Sequence, residues 1–274
     1  MKHMCIYTGI TLDAPVIKSL NTGIAAIFVR QAPYKQDNSE DNNQDAAAVI
    51  PIGDDSVVLA VADGMGGAPS GDVAARLAIE SLVKSLRDMS ADSLRDAILN
   101  GIDDANRAVL KLENGAATTL AVVEINAYRL RSYHIGDSGI IVTGQRGRLR
   151  LQTTAHSPTG YAVEAGLIDE VEALSHTERN IVSNVIGSHE LRIEIGPSIK
   201  LAQRDTVVVA SDGLFDNMLT EEIIEHVRCG SLENSATSLA KKCADRMQSK
   251  VTDTILGHQD DLGFIIYRPA RHIS

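Results

Sequence analysis

Acidic residues recur at one kind of place along this chain. Glu40-Asp41 lies in a polar loop, while Asp63, Asp137, Asp212 and Asp260-Asp261 each adjoin an apolar, strand-like run. Strand ends are where a rigid scaffold presents functional loops. Taken singly, each acid is explained by turn formation, because Asp and Gly are turn residues. Taken together they ask for more, since converging carboxylates repel one another and take up protons unless divalent cations sit between them. A ligand set made only of oxygen, without supporting His or Cys, selects Mg²⁺ or Mn²⁺ over Zn²⁺ or copper. Two such cations bridged by one carboxylate would acidify a water and supply hydroxide near neutral pH, which is chemistry suited to phosphate esters. Gly64, Gly66 and Gly67 after Asp63 would let a main-chain carbonyl approach a cation, and they suit a tight strand-to-helix turn equally well.

The elements that must position these acids follow from periodicity. GIAAIFVR (23–30), AAAVIPI (46–52) and SVVLAVAD (56–63) read as strands, the last two joined by a hairpin turn at Gly53-Asp54-Asp55. Val73, Leu77, Ala78, Leu82 and Leu86 then repeat with helical spacing behind Ser70 as N-cap, and a second helix is expected from about Ala91 to Leu112. Strand signals return in TTLAVVEI, YRLRSYHIG, GIIVTG and RLRLQTT, whose short links predict antiparallel neighbours. Residues 155–187 are polar and weakly periodic, as expected of a lid or small subdomain. A strand (TVVVASDG), two helices (221–228 and 232–247) and a last strand (LGFIIYR) complete the chain. Paired helices and antiparallel strands point to two stacked sheets with helices outside both.

Composition excludes several functions. The 274 residues carry a net charge of −10 and a predicted pI near 5.2, so a phosphate-backbone binder, which needs a cationic face, is disfavoured. Six Tyr, three Phe and no Trp leave few stacking platforms and predict an aliphatic core. Cys5, Cys229 and Cys243 form no CxxC pair and suit a reducing compartment. With no apolar run long enough to span a bilayer, the sequence reads as a cytoplasmic protein that engages neither membrane nor nucleic acid.

Seven segments in order resemble the metal-dependent PPM protein phosphatases, also called type 2C serine/threonine phosphatases. They are SED (39–41), VADGMGG (61–67), ATT (117–119), HIGDSG (134–139), TAHS (154–157), ASDGLFD (210–216) and QDD (259–261). DGMGG, GDS and SDG in that order are specific together. The resemblance spans residues 23–268, leaving 1–22 as an N-terminal extension and 269–274 as a tail. It implies an α+β fold, a four-layer α-β-β-α sandwich of two antiparallel sheets flanked by helices, with a flap subdomain near 157–187.

By motif, the resemblance makes Asp63 the bridge between two Mn²⁺ or Mg²⁺ ions, with the Gly64 carbonyl on one and Asp212 and Asp260 on the other. Glu40 and Asp41 would line the second metal's side, through water, and join Asp63 as catalytic residues. Asp137 with Asp212 would hold a third, weaker ion. Where many members carry an Arg four residues before the Glu to grip phosphate, this chain has Gln36, with Lys35 beside it. Ser39 replaces a common Asn, Gly139 an Arg and Gly263 a Thr or Ser, and Met65 stands where some relatives carry His. His134 and His156 are read as structural, because neither occupies a position the family uses for catalysis.

The implied reaction is hydrolysis of phosphoserine or phosphothreonine on a protein, by in-line attack of hydroxide bridging two cations. The partner is a phosphoprotein, the opposing enzyme a serine/threonine kinase, and the chain a monomer. Two other readings are a pseudophosphatase that only binds phosphoproteins, opposed by the complete acid set, and another two-metal hydrolase such as a nuclease, opposed by the net charge.

Overall fold

The computed structural model describes residues 4–33, 42–65, 70–89, 93–248 and 257–270. One sheet has the order β1 (Cys5–Thr8), β4 (Asp45–Ile52), β5 (Ser56–Asp63), β6 (Leu120–Asn126), β7 (Arg129–Ile135) and β10 (Glu194–Ile195), with β11 (Ile199–Lys200) also on β7. The other runs β2 (Val16–Leu20), β3 (Gly23–Arg30), β13 (Leu262–Pro269), β12 (Thr206–Ala210), β8 (Gly139–Thr143) and β9 (Leu149–Gln152). Every pairing is antiparallel. Cys5–Thr8 and Val16–Leu20, both ahead of Gly23, thus supply an edge strand to each sheet.

Four layers require three apolar interfaces, and side-chain alternation along the strands divides between them. In β4 and β5, Ala46, Ala48, Ile50, Val58 and Ala60 pack with α1 (Gly71–Asp88) and α2 (Leu94–Leu110). Their neighbours Ala47, Val49, Val57, Leu59 and Val61 face the second sheet. There, Ile27, Val207 and Val209 face inward, while Phe28, Val208 and Ala210 meet α6 (Thr220–Val227) and α7 (Leu232–Gln248). Burial on both faces is why these strands read as unbroken apolar runs.

Two local expectations are corrected. Ser70 precedes α1 in a left-handed conformation (φ 58°) and its side chain caps nothing, whereas Ser93 Oγ caps α2 by accepting from the Asp96 N–H. The link between β7 and β8 is short, yet the two strands do not pair: they belong to different sheets, and Gly136-Asp137-Ser138 is the crossing between them. That crossing carries Asp137 to the same end of the sandwich as the end of β5, the end of β12 and the start of β13. The segment after β9 folds into α3 (Pro158–Glu164) and α4 (Glu170–Ser175) beside that end. None of the described helices is long and apolar enough to cross a membrane.

Candidate active site

Asp63 closes β5, directly opposite Asp45 at the start of β4. Two threonines hold its backbone. Thr118 Oγ1 and the Thr119 N–H donate to the Asp63 carbonyl at 2.7 and 2.8 Å, and the Asp63 N–H donates to Thr119 Oγ1 at 3.3 Å. A side chain on Gly64 would overlap the Gly71 carbonyl, so this glycine is required where strand end meets helix start. Gly66 and Gly67 lie outside the described residues.

Thr119 also reaches the sheet crossing. Its Oγ1 lies 2.5 Å from Ser138 Oγ, and Gly136 (φ +96°) packs so closely on it that a Cβ there would sit 2.6 Å from Thr119 Cβ. Asp137 is thereby held near the acids of β5 and β12. Asp212 opens α5 (Asp212–Phe215) immediately after β12, and Asp260 precedes β13, its Oδ1 accepting the Asp261 N–H at 2.8 Å.

Asp63, Asp137, Asp212 and Asp260 are brought together, and their electrostatics show it. Burial, then the charges of Asp212, Asp45 and Asp260, pushes Asp63 well above the ordinary carboxylate range, and Asp63 shares a hydrogen bond with Asp212. Burial, with Asp260 adding, moves Asp137 up to about 6. Burial and then Asp137 move Asp212 up to about 6. Carboxylates crowded in this way hold protons until cations take their place.

Two members of the cluster were missed in the sequence. Asp45 is 1% exposed, receives a hydrogen bond from Ser211 Oγ at 2.6 Å, and leaves Oδ1 with no partner. Burial and then Asp261 push it well above the usual carboxylate range. Its signal was available: counting back from the Gly53 hairpin turn sets residue 45 against residue 63. Asp216 is the other, one helical turn after Asp212 and so on the same face. Burial, followed by Asp212 and Asp137, raises it well above the usual range, although Arg179 Nε lies 3.9 Å from its Oδ2. A cavity of about 350 Å³ opens beside Asp137, Asp212 and Asp216, walled by α3, α4 and Phe215.

Asp261, adjacent to Asp260, does different work. Its Oδ1 accepts from the Ala32 N–H and its Oδ2 from the Gln44 N–H, both at 2.7 Å, and the residue is 2% exposed. Both oxygens are spent tying β13 to the segments after β3 and before β4. Lys35, Gln36, Glu40 and Asp41 lie outside the described residues.

The Protein phosphatase 2C family model matches residues 35–253. The chain belongs to this family. The serine/threonine phosphatase stp of Listeria welshimeri is 28% identical to this phosphatase over 198 residues, which are 68% of this chain and 77% of that protein. The serine/threonine protein phosphatase PstP of Mycobacterium tuberculosis is 31% identical over 192 residues, 66% of this chain and 36% of that protein. The solved S. agalactiae serine/threonine phosphatase superposes with a TM-score of 0.74 at 26% identity, covering 89% of this chain and 98% of that one. A PstP catalytic domain solved with two manganese ions shares the fold, with a TM-score of 0.71 at 23% identity over 90% of this chain and 98% of that one.

Two glycines of this phosphatase near the acid cluster leave no room for a side chain. At Gly139 a Cβ would meet the Phe215 ring at 2.6 Å, so Phe215 occupies the space that a larger residue would need. At Gly263 a Cβ would lie 2.9 Å from Asp45 Oδ2, and the Gly263 N–H instead donates to Ser211 Oγ, the hydroxyl that caps Asp45.

Proposed function

We propose that this serine/threonine phosphatase hydrolyses phosphoserine and phosphothreonine on proteins with two Mn²⁺ or Mg²⁺ ions, opposing a serine/threonine kinase as a monomer. One observation carries the metal reading: Asp63, Asp137 and Asp212 converge with their pKa values raised, and Asp45 Oδ1 is buried without a partner. An all-oxygen donor set short of positive charge fits hard divalent cations. The two manganese ions in the PstP catalytic domain are a precedent for the stoichiometry.

When bound, the cations would supply Lewis acidity and a water acid enough to attack phosphorus near neutral pH. Asp63 and the Gly64 carbonyl would hold one, Asp63 with Asp212 and Asp260 the other, and Asp137 with Asp212 a third, weaker ion. Thr118 and Thr119 fix the Asp63 backbone, so that carboxylate is presented without loop reorganisation. Asp261 anchors the strand start behind Asp260. The cavity beside Asp137 and Asp212 is where the residues flanking the phosphorylated side chain would lie. Lys35 and Gln36 are proposed to meet the phosphate, and Glu40 and Asp41 to line the second metal's side.

The test is hydrolysis of a phosphothreonine and a phosphotyrosine peptide, with Mn²⁺ and with EDTA. Mn²⁺-dependent release from phosphothreonine, lost in EDTA, is expected. Release that persists in EDTA would overturn the metal reading, and binding without release would favour a phosphoprotein-binding module.

A further inference from the structure

Behind the crossing that carries Asp137, a histidine makes contacts on every side. His156 is 5% exposed; its backbone N–H donates to the Gly136 carbonyl at 2.9 Å, and the Gly136 N–H donates back to His156 Nδ1 at 3.1 Å. From the segment that follows α4, the Ser183 N–H and hydroxyl donate to the His156 carbonyl at 2.8 and 2.9 Å. Asn184 Nδ2 donates to the same Nδ1 at 2.9 Å, its amide orientation fixed by a paired exchange with the backbone of Arg192. On the far side, Nε2 meets Glu194 Oε2 at 3.0 Å.

These contacts settle the proton. Nδ1 faces two donors and is therefore the acceptor, so the hydrogen is on Nε2 and is given to Glu194. His134, His156 and Glu194 do offer ligand atoms within 4.8 Å of one another, the spacing of a metal site. A metal on Nε2 would require Nδ1 to hold the proton, against the Gly136 and Asn184 donors, and the hydrogen-bond directions exclude that.

We propose that His156 is the positioning residue for Asp137, joining the metal-side loop to the flap segment 183–194. Gly136 lacks a Cβ and lies at positive φ, so its backbone is the least restrained link in the crossing, one residue before the acid. The two-way exchange with His156 removes that freedom, and the Ser138–Thr119 hydroxyl pair restrains the other side. The proposal rests on Asp137 being a ligand of the weaker ion.

The experiment compares His156→Asn, His156→Gln and Asp137→Asn by calorimetric Mn²⁺ titration, thermal melting at saturating Mn²⁺, and KM for a small phosphoester. Asn carries an amide oxygen near the place of Nδ1, whereas Gln carries its polar atoms near Nε2. His156→Gln is expected to weaken the weak-site Mn²⁺ affinity by up to about ten-fold, the size of one neutral hydrogen bond lost to the Gly136 backbone, with KM at saturating Mn²⁺ unchanged. His156→Asn is expected to restore most of that affinity. Equal losses in both variants, with lowered melting at saturating Mn²⁺, would mean packing alone and overturn the proposal. So would a wild-type titration in His156→Gln while Asp137→Asn is shifted. An unshifted titration in Asp137→Asn would instead remove the ligand reading beneath it.

Discussion

Asp45 and Asp63 face each other in register across β4 and β5, two acids raised well above the usual carboxylate range at the same end of the sandwich. Their crowding is a cost that bound cations would relieve. A neutral amide at either position should therefore help the metal-free protein and harm the metal-bound one.

In chelator, Asp63→Asn and Asp45→Asn are each expected to raise the melting temperature by about 2–4 °C, corresponding to roughly 1 kcal/mol in a chain of this size. Both should lower Mn²⁺ affinity by calorimetry, and Asp63→Asn should abolish turnover. Lower melting in chelator together with unchanged Mn²⁺ binding would show that these acids serve the fold and not a cation site.

Asp260 and Asp261 are neighbours with opposite duties, and substitution separates them. Asp261→Asn replaces one acceptor oxygen with a donor and leaves the Ala32 or Gln44 N–H buried without its partner, which costs about 1–3 kcal/mol of stability. Its Mn²⁺ affinity should stay near that of the wild type. Asp260→Asn should leave stability close to unchanged and raise the Mn²⁺ concentration needed for half-maximal activity. Chemical denaturation and Mn²⁺ titration of both variants give the ranking, and the reverse order would shift the terminal motif by one residue.

Much of this site could be read from sequence because its acids sit at strand ends, and strands buried on both faces announce themselves as apolar runs. Asp63, Asp137, Asp212 and Asp260 were found in that way. Asp45 was missed because an acid at the start of a strand looks like the end of the polar loop before it; only the register of the β4–β5 hairpin sets it against Asp63. Asp216 was hidden at the C-terminal cap of a four-residue helix too short to show periodicity. The short link at 136–138 predicts antiparallel neighbours and instead crosses between sheets, since a short link says how far the chain travels and not which sheet it joins. Hydrogen-bond direction at His156 has no sequence signal, because it depends on Asn184 and Glu194 from distant segments.

Gly139 offers a test of packing in the second sheet. Gly139→Ala drives a methyl group into the Phe215 ring and should cost about 1–3 kcal/mol, as overpacking does. Phe215→Leu in the same chain removes the ring atoms in the way, so the double variant should lose less than the two single losses added together. Additive losses in denaturant unfolding would mean that the ring moves aside freely and that Gly139 answers to some other constraint.

His134 gives a pH dependence of definite sign. It is 1% exposed, neither ring nitrogen makes a hydrogen bond of good geometry, and its ring centroid lies 4.3 Å from that of His156. Burial, with His156 adding and the nearby backbone of Gly136 and Ser138 opposing, pushes its pKa from 6.5 down to about 3. Between those values the unfolded chain binds a proton that the folded chain refuses. The neutral ring's contribution is therefore fully present above the unfolded pKa and is lost as pH falls toward the folded one, by about 1.4 kcal/mol per pH unit. The acid cluster has raised pKa values and acts in the opposite sense, so the comparison is made at saturating Mn²⁺, which holds those acids ionised, and against a variant. His134→Leu removes no hydrogen bond of good geometry, only weak contacts with the Gly136 and Ser138 backbone, and should stay close to the wild type in stability at pH 7.5. On lowering the pH from 6 to 5 the wild type should lose about 1 kcal/mol more than the variant, measured by denaturant unfolding. Parallel pH profiles would mean that His134 takes its proton in the folded state, with a partner on its ring.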